Sequence, residues 1–338
     1  MLELHSSSLF AALSCQNKGP PPIWLMRQAG RCIPAYQALR RRFSLVEMFH
    51  NPDLITEVTL LPINLFHVDA AILFLDLLTV FDGLGIEWDF PEGMGPIIKT
   101  PITPETVLTI KPPQEVYSYI ATAIQQLKQT LSVPLLGFAG APFTLASYLI
   151  EGKTSRDLLR TKEFLYTHPQ AFHKLLHTIS LAVIDYINYQ IEAGIDAVQI
   201  FDSWAHVLSL QDFREICLPY LKLILQGIRK KVPVILFCKG SCFFAKELAA
   251  LSPAAISLDW QGEIASIRKE IPSTIALQGN LDPAVLLGPQ ELIAQKAKAL
   301  LVAMRGDPGY IFNLGHGIVP GTPFENVKFL VDYVHNYS

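Results

Sequence analysis

The chain alternates short, almost continuous apolar runs with longer stretches of helical spacing. Residues 23–26, 70–75, 135–139, 197–201, 234–238, 255–258, 275–277 and 310–314 form eight such runs. They have strand length and are apolar on both faces, as strands of a parallel sheet covered on both sides must be. Between them, residues 171–192 repeat apolar positions at helical spacing and stop at Gly194, and residues 210–231, 243–251 and 289–304 read as further helices. Alternating strands and helices predict an α/β fold with a parallel sheet, and eight units predict closure into one (β/α)8 TIM barrel spanning 1–338. The count of eight depends on the first two units, because residues 43–67 carry Pro52 and Pro62. Residues 81–113 are rich in Pro and Gly and predict a hairpin or lid-like excursion.

Each run is followed by polar residues or glycine: Arg27, Asp76, Gly140, Asp202-Ser203, Lys239-Gly240, Asp259, Gln278-Gly279-Asn280 and Gly315-His316. In a barrel the C-terminal strand ends converge on one face, where active sites sit. An open doubly wound sheet would instead carry Gly-x-Gly-x-x-Gly after an early strand; neither that motif nor a phosphate-binding Gly-x-x-x-x-Gly-Lys-Ser/Thr occurs. Nicotinamide, flavin and nucleoside triphosphate therefore have no support. No internal repeat, linker or low-complexity stretch is present.

Composition narrows the picture. The 338 residues exceed the roughly 250 of a bare barrel and leave room for insertions. Half are hydrophobic and 17% are charged, an excess of apolar surface that predicts a homodimer. The net charge is −3 and the one dense basic patch is Arg40-Arg41-Arg42, which argues against nucleic acid. Five scattered cysteines (15, 32, 217, 238 and 242) predict reduced thiols in a cytoplasmic protein. Cys238 and Cys242 lack the partners of a tetrahedral zinc site, so no metal is expected. Near the N-terminus, residues 9–15 loosely imitate a lipoprotein signal. The run is too short, and Glu3 stands where a basic residue belongs. Ser6, Ser7 and Ser8 offer caps for a short helix ending near Asn17-Lys18-Gly19. No run reaches the roughly 18 apolar residues of a membrane span.

Several residues are candidates for chemistry. Arg27 and Arg31 frame a glycine-containing turn, where their planar forks match two carboxylates; alternatively both pair with acidic side chains. Asp76 ends an apolar strand and needs donors, either as a site residue or as a helix cap or arginine partner. Tyr148 is a phenol donor or a packed aromatic. Ser203 follows a strand end without a Gly-x-Ser-x-Gly elbow, so it is a polar contact or a helix cap rather than a nucleophile. His316 lies between two glycines, which implies close backbone approach, and is either a site residue or a satisfied structural histidine.

The ordered set resembles the uroporphyrinogen decarboxylase family. It comprises Pro22-Ile23-Trp24-Leu25-Met26-Arg27-Gln28-Ala29-Gly30-Arg31, Asp69 to Asp76, Gly140 to Gly152, Ile200-Phe201-Asp202-Ser203-Trp204-Ala205, Leu277 to Pro283 and Phe312-Asn313-Leu314-Gly315-His316-Gly317-Ile318. The resemblance implies a barrel, a homodimer and a cytoplasmic step of heme biosynthesis. In that step four acetate side chains of uroporphyrinogen III lose carbon dioxide without metal or organic cofactor. It further implies that Asp76 stabilises a protonated pyrrole and that Arg27 takes part in catalysis. Arg27, Gln28, Ala29, Gly30, Arg31, Tyr148, Ser203 and His316 would hold the substrate. The chain departs from the family pattern at Cys32, Ala35, Leu75, Ala205-His206 and Gln261. Two alternatives follow: an inactive tetrapyrrole-binding paralogue, and a corrinoid methyltransferase of the same superfamily, whose His-x-Cys zinc motif is here Leu236-Phe237-Cys238.

Overall fold

The computed structural model describes residues 7–91, 94–109 and 116–337. Glu3, Ser6 and part of the predicted 81–113 excursion lie outside them. Seven strands form one parallel sheet: β1 (Ala71–Ile72), β4 (Leu135–Gly140), β5 (Ala197–Asp202), β6 (Val234–Cys238), β7 (Ala255–Ser257), β8 (Ala276–Leu281) and β9 (Tyr310–Leu314), adjacent in that order. The hairpin of β2 (Trp88–Asp89) and β3 (Ile97–Ile98) stands apart within the predicted excursion.

The eighth unit is present but irregular. Ile23 bridges Phe312 of β9 in parallel, Phe312 N–H donates to the Pro22 carbonyl at 2.8 Å, and Asp69 N–H donates to the Ile23 carbonyl at 2.8 Å. Residues 22–26 therefore sit between β9 and the β1 segment and close the curled sheet. Pro22 has no amide to add to a ladder, so the segment stays a bridge rather than a full strand.

Long amphipathic helices cover the outside. The predicted 171–192 helix runs Pro169–Ala193 and stops at Gly194, and the predicted 289–304 helix runs Gln290–Ala303. Pro52 starts the Pro52–Phe66 helix at its first turn, where a missing amide costs nothing, and Pro62 is accommodated inside it. The predicted 210–231 helix is broken. It runs as Leu210–Asp212, a π-type turn Phe213–Cys217, then Leu218–Gly227. Pro219 cannot donate to an α-helical partner, and the wider turn just before it absorbs that gap. The N-terminal helix is shorter than predicted, Ser8–Leu13, with Ser7 as its cap.

One correction concerns β8. The pattern predicts a strand ending at Leu277, with Gln278, Gly279 and Asn280 beyond it. Pairing Gly279, Asn280 and Leu281 with Phe312, Asn313 and Leu314 carries the strand on to Leu281. Gln278 is thus a fully buried interior residue. Ladder hydrogen bonds with a neighbour override weak strand propensity.

Candidate active site

The arginine turn begins where residues 22–26 leave β9. Arg27 adopts the left-handed backbone region (φ 60°), a strained state for a residue with a side chain. Four hydrogen bonds hold the turn. Leu25 N–H donates to Gln28 Oε1 (2.9 Å), Gln28 Nε2 to the Ala70 carbonyl (2.9 Å), Met26 N–H to Asn313 Oδ1 (3.1 Å), and Ile318 N–H to the Met26 carbonyl (2.9 Å). The arginine and histidine turns are therefore laced together. A β-carbon on Gly317 would stand 2.4 Å from Arg27 Cδ, so only glycine lets the arginine stem lie there. One on Gly315 would stand 2.4 Å from the Trp260 amide nitrogen. These contacts do not involve Cys32 or Ala35, the departures from the family pattern beside the arginines.

Both arginines are exposed, and among the described residues neither guanidinium makes an ion pair or hydrogen bond; the Arg31 carbonyl accepts from Gln37 Nε2 at 2.6 Å. The reading in which they pair structurally with acidic residues is not found. Gln28 is different: its buried side chain is consumed as a clip. Ala29 and Gly30 are half-buried, and with Arg31 they present amides that have no hydrogen-bond partner among the described residues.

Asp76 follows the β1 segment and caps the 3-10 helix Leu77–Leu84, its carboxylate accepting the Leu78 N–H at 3.0 Å. Its cap role and its place at the mouth coexist. Burial pushes the carboxyl pKa up, against the Leu78 amide and the positive Arg27 nearby, which lower it. The far end of the same helix is anchored by Asp82. That carboxylate accepts from Trp88 Nε1 (2.8 Å) and the Tyr119 hydroxyl (2.7 Å) and pairs with His50 Nε2 (2.9 Å).

Tyr148 lies on the helix Pro142–Glu151 after β4, packed edge-on against Trp204 with ring centroids 6.1 Å apart. Burial and the negative Asp76 raise its pKa, so it stays a neutral phenol donor. Ser203 is half-buried beyond β5 and does not cap the next turn, the 3-10 helix Ala205–Val207, which has no side-chain cap. His316 packs between Phe237 and Trp260 at 5.8 and 6.4 Å. Burial, then the positive charges of Arg27 and Lys239, push its pKa down to about 4, so at neutral pH it is an uncharged imidazole.

Lys239 and His206 stand at the same mouth; sequence reasoning saw them only as a strand-end residue and a departure from the family. Lys239 follows β6 directly, and its charge acts on both His206 and His316. His206 backs onto Gly240, whose β-carbon would lie 3.3 Å from its own. Asp259, another strand-end carboxylate, turns inward instead. It accepts Gly240 N–H at 2.8 Å and Cys242 N–H at 3.3 Å and thereby shapes the turn after β6.

The mouth thus combines unpaired cations and free donors with one carboxylate, Asp76, in apolar surroundings. The profile described as Uroporphyrinogen decarboxylase (URO-D) matches residues 4–337. This chain belongs to the uroporphyrinogen decarboxylase family. A uroporphyrinogen decarboxylase of Protochlamydia amoebophila (strain UWE25) is 50% identical over 329 residues, covering 96% of this chain and 90% of the relative. One of Chloroflexus aurantiacus (strain ATCC 29366 / DSM 635 / J-10-fl) is 43% identical, covering 94% and 92%. Among solved structures, a methyltransferase from Methanosarcina mazei superposes with a TM-score of 0.82 at 22% identity, covering 97% of each chain. A B12-independent methionine synthase from Shewanella sp. W3-18-1 gives 0.56 at 12%, covering 93% of each. These last two show that this chain shares its fold with a methyltransferase and a methionine synthase, and they speak to the fold alone.

Proposed function

We propose that the chain removes carbon dioxide from the four acetate side chains of uroporphyrinogen III, giving coproporphyrinogen III, within porphyrin biosynthesis. The observation that carries this reading is the pair of exposed, unpaired guanidinium groups beside a shielded carboxylate. A substrate with eight carboxylates needs cations, and a transient ring cation needs one fixed anion.

The chemistry follows from charge. Protonation of a pyrrole carbon makes the ring an electron sink. The bond to the acetate carboxyl breaks, its electron pair neutralises the ring cation, and carbon dioxide leaves; the exocyclic methylene then takes up a proton to become methyl, and the ring carbon gives back the proton it had taken, restoring the pyrrole. Asp76 accepts the pyrrole N–H groups and stabilises the cation, which is electrostatic preorganisation. Arg27 and Arg31 grip carboxylates bidentately and orient the reacting acetate. Tyr148, Ser203 and neutral His316 donate to further carboxylates, and the amides of Ala29 and Gly30 join them, with Gln28 holding the turn. The pyrrole itself supplies the electron sink, so the reaction calls for no cofactor. We read the chain as one barrel domain acting as a cytoplasmic homodimer. No helix among the described residues is long and apolar enough to cross a membrane.

Two alternatives are disfavoured. Identity of 50% to a named decarboxylase sets aside the methyltransferase. The chain also lacks the histidine of the His-x-Cys motif, and no three His, Cys, Asp or Glu among the described residues converge as metal ligands. An inactive tetrapyrrole binder is separated by anaerobic incubation of the purified protein with uroporphyrinogen III. The expected result is coproporphyrinogen III; binding without product would refute the decarboxylase.

A further inference from the structure

A hydrogen-bonded strut lies beneath the wall that carries Tyr148 and Ser203. Asp202, the last residue of β5, is 2% exposed. Its Oδ1 accepts the Thr144 hydroxyl at 2.5 Å. The same Thr144 oxygen accepts the backbone N–H of Trp204 at 3.1 Å. Thr144 is fully buried on the helix Pro142–Glu151, one turn before Tyr148 and hence on the same side of it. A single hydroxyl therefore ties the Tyr148 helix to the turn that contains Ser203, while Trp204, whose amide it holds, packs edge-on against Tyr148. Asp202 Oδ2 is buried and lacks a close hydrogen-bond partner, while the Cys217 thiol and the Thr144 amide lie near enough to stabilise the carboxylate. A valine or alanine at 144 could fill the apolar space but could not join the two segments.

We propose that Asp202, acting through Thr144, is a positioning residue. It holds Tyr148, Ser203 and Trp204 in the one arrangement that grips substrate carboxylates, and so sets substrate affinity rather than the chemical step. Two segments from different βα units must meet a rigid substrate together, and a shift of about 1 Å in either loses contacts. The inference rests on the decarboxylase reading and on Tyr148 and Ser203 as substrate contacts.

The experiment is steady-state kinetics with uroporphyrinogen III on wild type, Thr144→Val, Thr144→Ser and Asp202→Ala. Near-ultraviolet circular dichroism and thermal melts verify the fold of each. Wild-type turnover is measured first; its absence would sink the decarboxylase reading and not this inference by itself. Given wild-type turnover, Thr144→Val and Asp202→Ala are expected to raise KM about tenfold while kcat changes less than about threefold. Thr144→Ser, which keeps the hydroxyl, is expected to restore the wild-type KM. In Thr144→Val a further Tyr148→Phe change is expected to cost less than it does in wild type, because the phenol is already misplaced. A folded Thr144→Val enzyme with wild-type KM, or fully additive effects with Tyr148→Phe, would overturn the proposal. Should Thr144→Val not fold, Asp202→Ala carries the same two readouts.

Discussion

Two polar layers lie within a few residues of each other along the barrel, and they are built on opposite principles. In the interior, Trp24 Nε1 donates to Gln278 Oε1 at 2.9 Å. Gln278 Nε2 in turn donates to Gln199 Oε1 at 3.0 Å and Ser257 Oγ at 2.9 Å. All four residues are fully buried, and the chain of bonds is satisfied from within. At the mouth, three residues beyond Trp24, Arg27 has no protein partner among the described residues, and Arg31, Ala29 and Gly30 leave donors free. A folded chain satisfies its buried polar groups wherever it can. Exposed cations and free amides left without protein partners beside a shielded carboxylate are the mark of a site kept for a ligand. The interior layer stabilises the barrel, and the mouth layer is reserved for carboxylates.

The comparison is sharpened first by Asp76→Asn. The amide keeps the volume and cannot offer a negative charge. Turnover is expected to fall about 10²–10³-fold, as when a preorganised electrostatic contact is removed; near-normal kcat would mean that the mouth carboxylate is no more than a cap. A charge buried between the two layers comes next. Burial pushes Asp202 up to about 6 from its ordinary 3.8. The native state therefore holds this proton more tightly than the unfolded chain does. Stability falls as pH rises from about 4 to about 6 and stays lower above that, by at most about 3 kcal/mol. Asp202→Asn keeps the acceptor for Thr144 and is expected to remove that part of the pH dependence, which denaturant melts across this range would reveal. Third is Arg27→Ala, expected to raise KM for uroporphyrinogen about 30-fold, near 2 kcal/mol, with little change in folding stability. A large loss of stability instead would place Arg27 with the interior layer. The smallest effect is expected from Ser257→Ala, which removes one acceptor from Gln278. It should cost about 1 kcal/mol in urea unfolding and leave kcat and KM unchanged; altered kinetics would show that the layers are coupled.

Much of this division was legible before folding. The spacing of apolar runs predicts the barrel, and Arg27, Asp76, Ser203 and His316 stand at its C-terminal strand ends. The pattern misjudged residues whose role depends on a distant neighbour. Gln278 reads as a strand-end polar residue, yet pairing with β9 places it inside. Asp259 and Asp202 read like Asp76, yet the first holds the Gly240 and Cys242 amides and the second holds Thr144. Gln28 stays a substrate-contact candidate beside Arg27, and the structure adds that its side chain clips the turn to Leu25 and Ala70. His206 and Lys239 carry no motif, and only their convergence with His316 brings them to notice.

What the amino-acid sequence determined by itself was the alternation of strands and helices, the face on which polar residues gather, and the residue types suited to a carboxylate-rich substrate. These follow from local periodicity and side-chain chemistry. Only the tertiary structure decided which of those polar residues are spent on the protein and which remain for a ligand. That choice depends on hydrogen bonds between segments as far apart as Met26 and Asn313, or Thr144 and Asp202. Strand register and the close approach of backbones at Gly315 and Gly317 set those distances, and no local pattern encodes them.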